Sequence, residues 1–216
     1  MIRRASSRIL IILAGLLALV CYMPQLLAFP YRARIGETVV RSERPLTPRL
    51  AAVLVRADAL VARSPLYAGP VPRSIFLTTG GWRWRLLALQ SGGAFAFRRP
   101  LRNLIVINDA DVDSDTVLNG RTIAGMRTLH DTIAHETTHI LITDHFGALK
   151  SITFPSWKVE GYADHVAGAG SLDDAAATRL RAAEPNAPAL RYYDGRKTME
   201  AILAKNPSVD RLFQHG

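Results

Sequence analysis

Cysteine is almost missing from this chain: of 216 residues only Cys21 carries a thiol, inside an apolar N-terminal run. Neither a disulfide framework nor a cysteine-rich metal cage is open to the folded part, so any metal must use nitrogen and oxygen ligands. Aromatic residues are sparse at 7%, and the 18 acidic residues are outnumbered by 27 Lys and Arg, giving a net charge of +9. The basic residues are scattered, with "WRWRLL" and "FRRPLRN" the densest places. A nucleic-acid groove calls for basic residues interleaved with exposed aromatics. Only "GGWRWR" approaches that, so no nucleic-acid partner is expected and the charge reads as solvated surface beside an anionic membrane. Internal repeats and low-complexity segments are also lacking. What is plentiful is apolar residues, at 49%, enough for one domain around one core.

Charge is absent from Ile9 to Tyr31, between Arg3, Arg4 and Arg8 on one side and Arg32 on the other. A stretch of that length can cross a bilayer. Its apolar centre, "ILIILAGLLALV", equally has the length of a signal-peptide core, interrupted by Met23-Pro24-Gln25. Residues 1–31 are therefore expected as a transmembrane helix, signal anchor or signal segment, residues 32–46 as a linker and residues 47–216 as the folded domain. No lipobox precedes Cys21 and no small-x-small site is well formed, which favours an uncleaved anchor; cleavage would make the protein secreted. The basic segment ahead of the run has the form of an export signal, placing the domain on the extracytoplasmic side. Arg32, Arg34, Arg41, Arg44 and Arg49 compete with it in a charge count.

"LTPRLAAVLVRADALVARSP" carries helix signals: Thr47 as N-cap, Pro48 at the first turn, and Leu50, Val53, Leu54, Ala57, Leu60 and Val61 along one stripe. "SIFLTT", "WRWRLLAL", "AFAF" and "NLIVIN" read as short strands divided by Gly80-Gly81, Gly92-Gly93 and Pro100. From Arg121 to about Asp144 the spacing is helical, with Gly147 as a stop. Further helices follow in "SWKVEGYADHVAGAG" with Ser156 as cap, in the Ser-capped "SLDDAAATRLRAA", and in "YDGRKTMEAILAKN".

The chemistry concentrates in "TIAHETTHILITDH", residues 132–145. His135 and His139 are four apart, so on a helix both imidazoles reach one metal ion, and Glu136 beside the first can act as general base on a zinc-bound water. With six histidines and six glutamates in 216 residues, chance yields HExxH in roughly 0.5% of such chains. A catalytic zinc needs a third protein ligand and an open position. His145 has the spacing of the metzincin pattern, but on a continuous helix six residues turn it about 240° away. Metzincins bend at a glycine where this chain has Ile142, which resists the conformation. The other candidate is Glu160, in "WKVEGYADH".

With HExxH followed 21 residues later by Glu160, and Asp164 four beyond that, the chain resembles the gluzincin, thermolysin-like branch of zinc peptidases over residues 73–204, most sharply over 129–165. The resemblance implies Zn2+ on His135, His139 and Glu160, Glu136 as the base, and Asp164 hydrogen-bonding His135. It also implies an oxyanion donor in "RYYDGRKTMEAIL", with Tyr192 and Tyr193 both open, and an edge strand for the substrate, for which "NLIVIN" stands in the right place although its two-sided apolar pattern suits a buried central strand. The implied fold is α+β and zincin-like: a small, mainly antiparallel sheet, then the active-site helix, the glutamate helix and short C-terminal helices. About fifty residues follow Asp164, far fewer than the helical domain of the larger enzymes, so this is a minimal form. The expected function is a membrane-anchored zinc metallopeptidase acting on a peptide or protein substrate. The second reading is an inert zinc-binding module of peptidase ancestry, against which the intact Glu136 argues. Nothing specifies the oligomeric state.

Overall fold

A computed structural model describes residues 2–99, 102–121, 123–168, 170 and 172–214, with side chains from Ile11 onward. Its strands are β1 (Tyr31–Ile35), β2 (Thr38–Ser42), β3 (Arg73–Thr78), β4 (Ala96–Arg99), β5 (Leu104–Asp111), β6 (Thr116–Leu118) and β7 (Met126–Thr128). Its helices are α1 (Ile2–Tyr22), α2 (Arg49–Val61), α3 (Trp82–Ala88), α4 (Leu129–Phe146), α5 (Ala148–Ser151), α6 (Ser156–Ala167), α7 (Asp174–Ala183), α8 (Pro188–Lys205) and α9 (Val209–Gln214).

The strands form one mixed sheet. β1 and β2 make an antiparallel hairpin around Gly36, whose φ of +55° suits a residue without a Cβ. β2, β3 and β5 then run parallel, with α2 as the crossover between the first two. The far side of β5 is shared: β4 pairs antiparallel with Leu104–Ile107 and β6 with Asp109–Asp111, and β7 adds itself to β6. The result is α+β with a small sheet, as expected, and antiparallel pairings predominate.

Both faces of the sheet are covered, which explains the two-sided apolar pattern of residues 103–108. Ile105 and Ile107 point into the main core with Val53, Leu54 and Ala57 of α2 and Ile133 and Ile140 of α4. Leu104 and Val106 point the other way, against Phe76, Trp84 and Leu87. "NLIVIN" is thus a buried central strand and not an edge; among the described residues β4 pairs with β5 alone.

Three further expectations change. "WRWRLLAL" is the helix α3: Trp84, Leu87 and Ala88 are buried, a one-sided helical stripe that also scans as alternation over its first four residues. The helical spacing read from Arg121 belongs partly to β7, and α4 starts at Leu129, where Thr128 Oγ1 accepts from the Asp131 N–H. Residues 32–46, expected as a linker, hold most of the β1–β2 hairpin, with Val40 in the core. In α2, Thr47 Oγ1 donates to Asp113 instead of capping, and α6 follows Pro155 with no side-chain cap from Ser156. Pro100 and Ser171, expected as strand punctuation and as a cap, lie outside the described residues; α7 is capped by Asp173.

α1 docks through its C-terminal end, where Arg99 Nε donates to the Cys21 carbonyl and Arg102 Nη1 to that of Tyr22. Ile11, Ile12, Leu13 and Leu16 stay exposed. Among the described residues no helix is long and apolar enough to cross a membrane.

Candidate metal centre

A helix reading HETTH is polar for a buried element, and its threonines explain how it is tolerated. Thr132, Thr137, Thr138 and Thr143 each donate to the carbonyl four residues back, so no hydroxyl is left unsatisfied. Thr137 and Thr138 are fully buried. His135, Glu136 and His139 are thereby carried on α4, while α6, packed beside it, carries Glu160 and Asp164 one turn apart.

The side chains converge. His135 Nε2 lies 3.1 Å from His139 Nε2 and 3.3 Å from Glu160 Oε2, and His139 Nε2 lies 3.7 Å from Glu160 Oε1. Donors bound at about 2.0–2.1 Å to one tetrahedral ion stand about 3.3 Å apart, so this spacing fits a single cation. Two imidazoles and a carboxylate facing one point can hold a metal ion.

Behind them, His135 Nδ1 is 2.8 Å from Asp164 Oδ1, the pairing expected for Asp164, which fixes the ring with Nε2 toward the centre. Arg127 Nη2 donates to the same Asp164 oxygen at 2.6 Å. Burial alone would raise Asp164, but Arg127 and His135 outweigh it and hold the carboxyl far below its usual range. The two histidines diverge for the same reason. Burial lowers His139 to about 4. At His135 the same burial is overcome by Asp164 and Glu160, raising it to about 10. Burial of Glu160 is outweighed by the imidazoles, bringing it to about 2. A metal ligates neutral imidazole, so a bound cation takes the place of the proton that this cluster otherwise concentrates on His135. Glu136 is 7% exposed, and burial lifts it to about 7 against the pull of His135.

His135, Glu136, His139 and Glu160 line an open cleft of about 620 Å³. One wall is β4 with Phe95 before it; the opposite side receives Pro188, Ala189 and Tyr192 from the start of α8. Tyr192 therefore faces the site, and burial, then the charge of Glu160, raises its phenol. Tyr193, one residue on, packs toward α7 and donates to Asp174 Oδ1 at 2.8 Å. It is not among the cleft residues, so the structure brings only one of the two candidate tyrosines to the metal ligands. His145 is also elsewhere, 2.7 Å from Asp210 near the end of α4. Two cleft residues carried no sequence signal: Arg127, on β7, and Arg98, on β4, whose Nη2 donates to Thr143 Oγ1 at 2.7 Å.

Fold and site together bring His135, His139 and Glu160 into a group that could hold a metal ion, with the buried carboxylate of Glu136 beside it. No protein-family model, curated protein or solved structure matches this chain.

Proposed function

We propose that this chain is a zinc metallopeptidase of the gluzincin type, in a minimal, zincin-like form, hydrolysing peptide bonds of an extended substrate. One observation carries the reading: His135, His139 and Glu160 face a common point, and Glu136, the buried acid between the histidines, opens onto the same cleft. Two imidazoles with one carboxylate is a donor set of catalytic zinc, leaving a fourth position for the reaction.

Zinc held there supplies Lewis acidity, polarising a carbonyl oxygen and acidifying water. The chain's own groups do the rest. Glu136, buried beside the ligands and open to the cleft, takes a proton from the attacking water and passes it to the departing amine. The Tyr192 hydroxyl, kept protonated by its raised pKa, donates to the oxyanion that forms on the substrate carbonyl. Asp164 holds the His135 ring, and Arg127 holds Asp164. Among the described residues β4 pairs with β5 alone, and on its other side an extended peptide can add itself as a strand. The exposed apolar residues of α1 support attachment of the N-terminal segment to a membrane, and the basic residues Arg3, Arg4 and Arg8 ahead of them support a domain on the extracytoplasmic side.

The decisive variant is Glu136→Gln. It is expected to bind one zinc per chain by elemental analysis while peptide hydrolysis falls by about 10²–10⁴-fold, the worth of a general base. Cleavage at the wild-type rate by that variant, or cleavage indifferent to a chelator, refutes the proposal.

A further inference from the structure

Arg98 makes no hydrogen bond or ion pair to His135, His139 or Glu160 among the described residues, yet it is part of the cleft wall. Its register explains its direction. In the β4–β5 ladder Ala96 stands opposite Ile107 and Arg98 opposite Ile105, so both project to the face that carries α4. Phe97, opposite Val106, projects to the other face with Trp84, as does Arg99. Arg99 on that face satisfies its guanidinium on the Cys21 and Leu87 carbonyls. Arg98 has no such anchorage. Of its five N–H donors, one goes to Thr143 Oγ1, and no carboxylate or carbonyl of the described residues bonds the others. Glu136 and Asp144 are near enough to be felt electrostatically, but neither forms an ion pair with it. Burial lowers its pKa, the mark of a cation partly stripped of water.

A half-buried guanidinium with free donors, on the strand proposed to hold the substrate and level with the turn of α4 after His139, is a receptor for a planar anion. Arg121 lies in the same cleft, its guanidinium packed on Gly93, and adds positive charge. Arg127, whose charge is spent on Asp164, contributes less.

We infer that Arg98 is a specificity residue that takes a carboxylate of the substrate, so that the cleft selects anionic peptides with the acid at one fixed position relative to the cut bond. This rests on the peptidase reading. The carboxylate has two sources, an Asp or Glu side chain or the C-terminus of the peptide, and the two predict different cutting patterns.

The test is cleavage by the zinc-loaded full chain of a peptide library in which each position holds Glu, Gln or Lys, made with free and with amidated C-termini. Glu is expected to exceed Gln at least about tenfold in kcat/KM at one position, the scale of a charge-assisted hydrogen bond. If the C-terminus is the source, amidation rather than Gln abolishes the preference. In Arg98→Gln the Glu/Gln ratio, or the acid/amide ratio, should fall to near one, and in Arg98→Glu it should favour Lys. Arg98→Lys, which keeps the charge and loses the fork, should retain part of the ratio and guards against a variant that does not fold. No preference in the wild type, or the same preference in Arg98→Gln, overturns the inference. If no peptide is cut, the peptidase reading fails separately. Fluorescence anisotropy of labelled Glu and Gln peptides on the zinc-loaded wild type then decides the Arg98 assignment, with equal affinities against it.

Discussion

Asp164 does its work through one imidazole. With an oxygen 2.8 Å from His135 Nδ1 and a guanidinium behind it, it fixes both the tautomer and the direction of the ring. Asp164→Asn is expected to weaken zinc binding by about 10–100-fold in a competition titration with a chromophoric chelator, with the helical circular dichroism kept. Tyr162, 1% exposed and 2.7 Å from Ser64 Oγ, gives a prediction that can be read without metal. Burial raises its phenol to about 12, offset in part by the Ser64 hydrogen bond. An unfolded tyrosine titrates near 10, so above that pH the unfolded chain binds fewer protons and stability falls. The contribution is whole below pH 10 and lost through pH 12, about 3 kcal/mol in all. Urea titrations between pH 9 and 11.5 should show a shallower fall in Tyr162→Phe than in the wild type. Legibility at this level followed helical periodicity in part. His135 and His139 could be found from their helical interval and Glu136 from its place in HExxH, whereas Glu160 and Asp164 are reached through the resemblance to the gluzincin branch. Tyr192 and Tyr193 could not be separated, since their choice depends on how α8 is rolled, and Arg98 and Arg127 reach the site only through strand pairing.

Among the elements, the contact between α6 and α8 governs how Tyr192 stands over Glu160. Gly161, the residue after the glutamate ligand, is where the helices touch backbone to backbone: a Cβ there would lie 2.7 Å from the Gly195 carbonyl oxygen. At Gly195 the nearest atom to a Cβ would be the Trp157 carbonyl oxygen at 3.5 Å, an ordinary contact. The two positions should therefore respond with opposite sign. Gly161→Ala forces the helices apart and is expected to cost about 1–3 kcal/mol. Gly195→Ala meets no clash and gains helix propensity, up to about 1 kcal/mol. Chemical denaturation of both variants checks the pair, and equal destabilisation would contradict the packing described. The glycine in "VEGYAD" thus has a steric cause that no local pattern reveals. The same limit hid α3, whose seven residues are too few to separate a helical stripe from alternation, and β7, whose three residues leave no period to read.

Across the whole chain, a metal held by His135, His139 and Glu160 would tie α4 to α6, helices otherwise joined by packing and by the His135–Asp164 hydrogen bond. Saturating zinc at about 1,000 times its Kd should add about 4 kcal/mol of stability. For a chain of this size that is roughly 10 °C in Tm, so excess chelator should lower the melting midpoint of the wild type by that amount and leave that of Glu160→Ala nearly unmoved. The α+β class was legible in the sequence because glycine pairs punctuate the strands before long helical periods begin. The order of strands was not, since parallel pairing of β2 with β3 joins segments separated by all of α2. That pairing has a practical side. A fragment trimmed to begin at Thr47 sheds the hairpin and strips the outer margin of β3, leaving a row of bare amides and carbonyls beside an apolar surface. Such a piece should oligomerise or precipitate in light-scattering measurements, whereas one that retains Phe29, packed edge-to-face against Phe76, should stay monodisperse.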